Sequence, residues 1–255
     1  MKYGDYHLHS EFSFDSTETI DNICKKAIEM KIPEIVLTDH VEFGAEDGNA
    51  WPDFQKREMV LEQCKKQYGN KLCIKSGVET GQPQKDLRLE KQFFENNKFD
   101  FVIASIHVVG NTGRPSRYEF TEQNYMPYFE QYFAESKELA KKCNYDVVGH
   151  VTFPFRYVPM ELLQKYPIES FKKDYMELFD IIAGRNKGIE INTSGLRTNL
   201  QDTMPSLELV KWFKECGGRI VTVGSDGHSA RSAFSGLEEG YRVLRLAGLE
   251  SRGGC

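Results

Sequence analysis

Seven short apolar runs alternate with segments of helical spacing along the chain, and this alternation limits the folds that the chain can adopt. Residues 34–38, 99–106 and 188–192 are rich in Val and Ile, as strands buried within a parallel sheet are. The other predicted strands are residues 3–9, 72–78, 146–149 and 219–224. Strands that alternate with helices predict a parallel sheet, and no linker or change in composition divides the 255 residues. We therefore predict a single α/β domain.

Each histidine of the chain lies at, or directly after, the carboxyl end of a predicted strand. They are His7, His9, His40, His107, His150 and His228, and Glu79 and Asp226 occupy equivalent positions. The usual glycine motifs of a doubly wound nucleotide-binding sheet are missing, which weighs against that fold. In a closed barrel of parallel strands, the carboxyl ends form one face, where active sites are built. A barrel therefore brings these eight side chains to one mouth.

These eight side chains have the chemistry of a metal site. His7 and His9 lie two residues apart in a predicted strand, so their rings project from the same face. A single histidine at a strand end is more often structural, but the same placement of all six favours metal binding. Imidazole and carboxylate ligands without thiolate suit Zn, Mn or Fe(II) better than Mg or Ca. Eight ligands exceed the needs of one ion, so we predict two or three divalent ions, with Glu79 suited to bridge two of them.

The motifs around these residues resemble those of the PHP superfamily, which includes polymerase-associated domains and histidinol phosphatases. In chain order they are D-x-H-x-H-S at 5–10, T-D-H at 38–40, G-V-E at 77–79, S-I-H at 105–107, G-H at 149–150 and G-S-D-G-H at 224–228. The resemblance covers nearly the whole chain. It implies a distorted (β/α)7 TIM-like barrel of the PHP type with a trinuclear metal centre, which we expect over residues 1–249. Residues 250–255 carry no structural signal, and we expect them to form a disordered tail.

The resemblance also implies how the ligands divide among three ions. The first ion would take His7, His9, Glu79 and Asp226. The second would share Glu79 and add His107 and His150. The third would take His40, His228 and a ligand from the loop after the first strand. Many family members have a histidine at that loop position, whereas this chain offers Asp15. Glu11 is the competing candidate, and a loop acid that is simply solvated is the remaining alternative.

Within the superfamily, the chain most resembles the stand-alone histidinol-phosphate phosphatases, in size and in the segments N-T-S-G-L-R at 192–197 and F-P-F-R at 153–156. That resemblance implies hydrolysis of L-histidinol phosphate to L-histidinol and phosphate, in histidine biosynthesis, by attack of a metal-bridging hydroxide. Arg197 and Arg156 are the expected phosphate contacts, because a guanidinium group can donate two parallel hydrogen bonds to an oxyanion. Pairing with surface acids is the alternative for both. The expected catalytic residues are Asp226, His228 and Arg197, and the proton for the leaving alkoxide would come from His228, Asp226 or a water on the third ion.

Loop residues are expected to select for the imidazole and amine of this substrate. Apolar or stacking surface is available from Phe12, Phe14, Phe43 and Trp51, and the ammonium group would pair with Glu42 or Asp47. Loop packing or solvation is the alternative for each of these residues. The remaining loop arginines are expected to be solvated or structural, and they are Arg114, Arg117 and Arg231.

The composition narrows the range of partners. A formal net charge of -5 argues against a nucleic-acid or anionic-membrane binder, since such proteins usually carry a basic surface. No apolar stretch is long enough for a membrane span, and the N-terminal residues do not resemble a signal peptide. The six cysteines are scattered without a C-x-x-C pair, so we expect reduced, structural thiols and a cytoplasmic protein. The sequence makes no prediction about the oligomeric state.

Three other functions are compatible with parts of this pattern. A protein-tyrosine or general phosphatase would use the same metal residues, and only a substrate panel separates it from a histidinol phosphatase. A nuclease or proofreading domain would need a basic groove, which the net charge of -5 disfavours. A non-catalytic scaffold would be marked by lost ligands, whereas every motif here keeps a metal-binding residue.

Overall fold

The computed structural model describes residues 3–44 and 51–251, and its centre is a sheet of parallel strands. The strands are β1 (Asp5–Leu8), β2 (Glu34–Leu37), β3 (His40–Glu42), β4 (Cys73–Gly81), β5 (Phe101–Ser105), β6 (Val147–Val148), β7 (Gly188–Asn192) and β8 (Ile220–Gly224). Their order is β1-β2-β4-β5-β6-β7-β8, and β3 pairs with β4. The prediction of an α/β fold with seven consecutive strand positions is confirmed.

The second strand position is divided into two pieces. β2 pairs with residues 73–76 of β4, and β3 pairs with residues 79–81 of the same strand. Thr38 and Asp39 separate the two pieces, and the backbone N–H of Glu79 donates to the Asp39 carbonyl at 3.2 Å. β4 is therefore longer than predicted, and Glu79 lies within it instead of following it.

The first and last strands nearly close the sheet into a barrel. The backbone N–H of Asp226 donates to the His7 carbonyl at 2.9 Å, and the His9 N–H donates to the Gly227 carbonyl at 3.0 Å. A side chain adds to this seam, because Asp5 Oδ1 accepts the N–H of Ser225 at 2.9 Å. The closure brings residues from the two ends of the chain together at the carboxyl face of the barrel.

The helices of the described residues surround the sheet. They are α1 (Ile20–Glu29), α2 (Phe54–Tyr68), α3 (Leu87–Asn96), α4 (Glu122–Lys142), α5 (Met160–Lys165), α6 (Lys172–Gly184), α7 (Leu207–Glu215) and α8 (Leu237–Leu246). The sequence of α1 explains why a helix forms there. Thr19 caps its first turn by accepting the N–H of Asn22, and its apolar face is buried, namely Ile20, Ile23, Cys24 and Ala27. None of the helices in these ranges is both long and apolar enough to span a bilayer.

Two connections differ from the sequence expectation. The predicted proline-containing loop after the fifth predicted strand holds a 3-10 turn at Phe153–Tyr157 and the short helix α5. At the C-terminus, Ser251 forms a parallel bridge with Val221, and residues 252–255 of the expected tail lie outside the described residues. A domain boundary at residue 249 stays a prediction.

The cysteines follow the expectation with one exception. Four of them are free thiols on helices or at helix ends, and these are Cys24, Cys64, Cys143 and Cys216. Burial raises the pKa of the Cys143 thiol to about 12, so that thiol stays protonated near neutral pH. Cys73 is disulfide-bonded, so the expectation that every cysteine is reduced is wrong at that position. Cys255 lies outside the described residues.

Candidate metal centre

Glu79 is the middle of the candidate site. Its side chain is fully buried in β4, and its two oxygens face different histidines. Oε1 lies 2.9 Å from His150 Nε2 and 3.2 Å from His107 Nε2, whereas Oε2 lies 3.2 Å from His7 Nε2. A carboxylate with this arrangement can serve two neighbouring ions at once, as the sequence predicted for Glu79.

The first predicted ligand set converges from the two ends of the chain. His9 Nε2 lies 3.4 Å from Asp226 Oδ1 and 3.6 Å from Glu79 Oε2, and His7 Nε2 lies 3.7 Å from Asp226 Oδ1. Asp226 has a φ of +53°, a left-handed conformation that is uncommon for residues other than glycine. Such backbone strain is typical of functional sites, and here it accompanies the seam hydrogen bond between Asp226 and His7.

The second set lies on the other side of Glu79. His107 Nε2 and His150 Nε2 are 3.3 Å apart, and both face Glu79 Oε1. Two ring nitrogens and a carboxylate oxygen that lie this close form a compact donor group for one cation.

The third set joins His40 and His228 to the loop after β1. The Nε2 atoms of the two rings are 3.4 Å apart, and each lies within 3.5 Å of Asp15 Oδ2. Burial raises the pKa of Asp15, but hydrogen bonds and charge from the two histidines outweigh it and leave the pKa below its ordinary value. The competing candidate, Glu11, points elsewhere, because its carboxylate accepts the N–H of Ile20 at the start of α1.

Several buried atoms at the centre face one another without forming a hydrogen bond within the described residues. They are His7 Nε2, His9 Nε2, His40 Nδ1 and Glu79 Oε2. An unsatisfied buried polar atom costs about 1–3 kcal/mol, so four at one place indicate that a ligand normally satisfies them. The donors are imidazole nitrogens and carboxylate oxygens, and triplets of them lie within 4.8 Å of one another. These residues therefore fit divalent transition-metal ions.

Further hydrogen bonds hold the outer nitrogen of three of these rings. His7 Nδ1 donates to Glu190 Oε1 at 2.6 Å, and His107 Nδ1 donates to Glu42 Oε1 at 2.7 Å. His9 Nδ1 lies 3.0 Å from the Ser13 hydroxyl, which itself donates to Asp39. With Nδ1 protonated, each Nε2 keeps its lone pair for the centre, which is the usual way in which a protein orients metal-binding histidines.

Glu190 and Glu42 are buried acids beside the centre that the sequence analysis missed or placed wrongly. Both are almost fully buried, Glu190 in β7 and Glu42 in β3. Glu42 also accepts a hydrogen bond from Gln82, so the expectation that it pairs with a substrate ammonium is wrong. Burial raises its pKa, but the charge of the neighbouring His107 ring dominates and lowers it to about 2. An acid inside an apolar strand needs a buried partner, and that signal could have identified Glu190 in the predicted strand 188–192.

The electrostatics of the centre favour cations. Burial lowers the pKa of His7 and His40, but the surrounding carboxylates outweigh it and raise both pKa values well above the ordinary value. The carboxylates therefore favour positive charge at the centre, which a bound divalent ion would supply with the rings neutral.

A cavity of about 290 Å³ opens onto this centre. Its lining comprises Asp15, His40, Glu79, His107, Arg114, His150, Phe153, Arg156, Tyr157, Asp226 and His228. Arg156 lies in the cavity wall, where its guanidinium group stacks on Phe153 and donates to the Tyr157 hydroxyl at 2.7 Å. Arg197 is not among the lining residues: its Nη2 donates to the carbonyls of Ser225 and Asp226 at 2.9 and 3.4 Å. The assigned contact of Arg197 with phosphate stays a prediction.

The other loop residues divide between the core and the cavity. Phe43 is fully buried against Trp51 and Phe93, so it belongs to the core and is not a substrate contact. Phe14 is 48% exposed and stacks on His40 beside the cavity. Arg114 lines the cavity, whereas Arg117 and Arg231 are exposed as expected. Asp47 lies outside the described residues.

Comparison with known proteins places this arrangement in context. A histidinol-phosphatase of Lactococcus lactis is 29% identical over 97% of this chain and 92% of its own length. A crystal structure of histidinol phosphate phosphatase from Lactococcus lactis, complexed with Zn, L-histidinol and phosphate, superposes with a TM-score of 0.83 at 26% identity, covering 98% of this chain and 95% of that one. A Listeria monocytogenes structure assigned as a histidinol phosphatase has the same fold, with a TM-score of 0.76 at 18% identity over 92% and 99% of the two chains.

The family model described as the PHP domain matches residues 5–194, which include His7, His9, Glu79, His107 and His150. This match covers most of the chain and agrees with the nearly closed parallel barrel and with the D-x-H-x-H-S motif at its first strand. The chain is a member of the PHP domain family.

Proposed function

We propose that this protein is a metal-dependent phosphomonoester hydrolase that converts L-histidinol phosphate and water to L-histidinol and phosphate. The observation that carries the proposal is the wall of the cavity, where members of each proposed ligand set lie together with a guanidinium group. The Lactococcus relative supports the choice of substrate, because its structure holds Zn, L-histidinol and phosphate.

The proposed cofactors are two or three divalent ions, either Zn, Mn or Fe. The first would be held by His7, His9, Glu79 and Asp226. The second would be held by Glu79, His107 and His150, and the third by Asp15, His40 and His228. When bound, such ions lower the pKa of water to near neutrality and neutralise charge on phosphoryl oxygens. The buried carboxylates Glu190 and Glu42, bonded to Nδ1 of His7 and His107, would orient these rings with Nε2 towards the ions.

The arginines bind and orient the phosphate group. Arg156 is fixed by stacking on Phe153 and by its bond to Tyr157, so its other donors are available to the cavity. Arg197, which we keep as a proposed phosphate contact and catalytic residue, is tied by Nη2 to the backbone that carries Asp226. A guanidinium group held in this way stabilises the charge of the transferred phosphoryl group without reorganising during the reaction.

Asp226 and His228 are the proposed catalytic groups for the leaving alkoxide. Both line the cavity, but the His228 side chain is 29% exposed and that of Asp226 is 10% exposed. His228 is therefore the more solvent-accessible of the two proposed groups. A cytoplasmic location also belongs to this proposal, supported by the four free thiols among the described residues.

The test is phosphate release from L-histidinol phosphate by protein reconstituted with Zn, Mn or Fe(II). p-Nitrophenyl phosphate, phosphotyrosine and a short oligonucleotide serve as comparison substrates. A marked preference for L-histidinol phosphate that a chelator abolishes is the expected result. Equal or faster turnover of another ester would overturn the assigned substrate, and no turnover by metal-loaded protein would overturn the assigned hydrolase activity.

A matched pair of variants tests the assigned role of Arg197. Arg197→Ala should raise KM and lower kcat, because the guanidinium group is expected to bind the phosphoryl oxygens in the ground state and in the transition state. Arg231→Ala is the control, since Arg231 is exposed and does not line the cavity. Unchanged kinetics in Arg197→Ala would reject the assigned contact.

A further inference from the structure

The cavity has a second arginine in its wall, and the proposed function has so far given it no role. Arg114 lies in the connection after β5, directly before the 3-10 turn Pro115–Arg117. That turn packs against the turn Phe153–Tyr157, which carries Arg156. The two arginines therefore approach the cavity from neighbouring turns, and both line it together with the metal-ligand candidates.

The guanidinium group of Arg114 lies over an aromatic ring. Its central carbon lies 5.0 Å from the centroid of the Phe14 ring, and that ring stacks on His40 with centroids 5.2 Å apart. Stacking on an aromatic ring holds the guanidinium plane and leaves the N–H groups at its edge free to bind. The position of Phe14 also gives a reason for an aromatic side chain that is 48% exposed.

The three arginines near the centre differ in how many donors are already used. Arg197 donates to two backbone carbonyls, and Arg156 donates to the Tyr157 hydroxyl. Across residues 3–44 and 51–251, no ion pair or hydrogen bond engages the guanidinium of the half-buried Arg114. A half-buried cation of this kind, facing a cavity, is suited to receive an anion, and its five donors match an oxyanion with several acceptor oxygens.

We infer that Arg114 and Arg156 together form a receptor for the terminal phosphate of a phosphomonoester, with Phe14 supporting Arg114. The inference rests on the proposed function for the identity of the whole substrate, but not for the phosphate contact. Two guanidinium groups match the double negative charge of a phosphomonoester better than the single charge of a phosphodiester. Arg114 thereby acts as a specificity-determining residue that favours monoesters.

The experiment compares Arg114→Met with Arg117→Met, a control at an exposed arginine on the same turn. Binding of inorganic phosphate to metal-loaded protein is measured by calorimetry. Values of kcat/KM are measured for L-histidinol phosphate, p-nitrophenyl phosphate and bis(p-nitrophenyl) phosphate. Metal content and melting temperature are measured for each variant, and Arg114→Lys is a second variant that keeps the charge.

Loss of a charged hydrogen-bonding partner predicts that Arg114→Met weakens phosphate binding and lowers kcat/KM for both monoesters by about 10- to 100-fold. The kcat/KM for the diester should fall much less than that for the monoesters. Arg114→Lys should have kcat/KM values and phosphate affinity between those of Arg114→Met and the unmodified protein, and Arg117→Met should have the values of the unmodified protein. Phe14→Leu should reproduce part of the loss, because it removes the ring that supports the guanidinium group.

Two results would overturn the inference. Phosphate binding that stays the same in Arg114→Met would exclude the contact. A loss confined to L-histidinol phosphate, with inorganic phosphate and p-nitrophenyl phosphate unaffected, would assign Arg114 to the organic part of the substrate instead. If the unmodified protein does not hydrolyse L-histidinol phosphate, the proposed function fails, but the inorganic phosphate measurement still decides the role of Arg114.

Discussion

Replacing Arg57 should destabilise the protein more than replacing any exposed arginine. Arg57 lies in α2 with a fully buried side chain, and each of its guanidinium nitrogens donates a hydrogen bond. Its partners are Asp39 Oδ2 at 2.6 Å, Glu58 Oε1 at 2.5 Å, Ser76 Oγ at 3.1 Å, and the carbonyls of Leu37 at 2.7 Å and Gly77 at 2.9 Å. The group therefore ties α2 to the end of β2 and the middle of β4.

The expected loss of stability in Arg57→Met comes from Asp39, which stays buried without its counter-charge. In Arg57→Met, the fully buried Asp39 keeps its bonds to Ser10 and Ser13 but loses its counter-charge. Removing one member of a buried ion pair costs about 3–5 kcal/mol. The free energy of unfolding of a native protein is about 5–15 kcal/mol, so this loss is a large part of it. The double variant Arg57→Met/Asp39→Asn should recover a measurable share, because no unpaired charge remains buried.

The assay is urea unfolding of metal-free protein at neutral pH, with metal-free unmodified protein as the reference. Arg242→Met is the matched control, since Arg242 pairs with Glu239 on an exposed face of α8 and should change the free energy by less than about 0.5 kcal/mol. A loss in Arg57→Met no larger than that of Arg242→Met would refute the reasoning. A double variant that is less stable than Arg57→Met would show that the uncompensated charge is not the cause.

Four further predictions follow from the same geometry. Burial raises the pKa of Asp39, but the neighbouring Arg57 charge outweighs burial and lowers this pKa below its ordinary value. The ion pair therefore stabilises the fold above the unfolded pKa of about 3.9, and this contribution is lost as the pH falls below it. Urea midpoints should therefore show the gap between unmodified protein and Arg57→Met narrowing as the pH falls below about 4, and a gap that stays constant there would contradict the assignment. Glu190→Gln should weaken Zn binding about 10- to 100-fold, because it disturbs the hydrogen bond that orients the His7 ring. The affinity is measured by competition with a chromophoric chelator, and an unchanged affinity would reject this role of Glu190. Gly224→Ala should lower the free energy of unfolding in urea by about 1–3 kcal/mol, because a Cβ there would lie 2.5 Å from Glu190 Oε1. Gly184→Ala is the control, because a Cβ at Gly184 meets nothing within 4 Å, and it should be neutral or stabilising. Equal effects of the two substitutions would contradict the close packing at Gly224. Chelator treatment should lower the melting temperature, and added Zn should restore it, because a bound ion gives the unsatisfied buried atoms a partner. A melting temperature that changes with neither treatment would argue against a metal centre.

The strand positions and the histidine positions could be predicted because both depend on local pattern. Runs such as Gly188-Ile-Glu-Ile-Asn192 have the apolar composition of buried strands, and the structure gives β7 these same bounds. A histidine directly after such a run must lie at the carboxyl face of a parallel sheet, whatever the loops do. The position of His107 and His150 at the carboxyl face, near Glu79, follows from that rule.

The missed features depend on contacts between distant segments. Thr38 and Asp39 read as the end of a strand, and only the neighbouring β4 shows that the strand position continues through His40 to Glu42. The face to which Glu190 points is fixed by closure of the barrel. Arg114 follows a glycine-containing loop whose path the local sequence does not determine. Helix α5 escaped prediction because prolines surround it and it is only 6 residues long.

The seam between β1 and β8 also fixes when the centre can form during folding. His7 and Asp226 share a backbone hydrogen bond at 2.9 Å although more than 200 residues separate them in the chain. A contact of such long sequence separation carries a high entropic cost of chain closure and forms late unless earlier structure brings its ends together. During synthesis, the N-terminal histidines must therefore wait until the last strand has been made before their ligand set is complete. Any intermediate that lacks the last strand exposes an open sheet edge beside a half-built cluster of imidazoles and carboxylates.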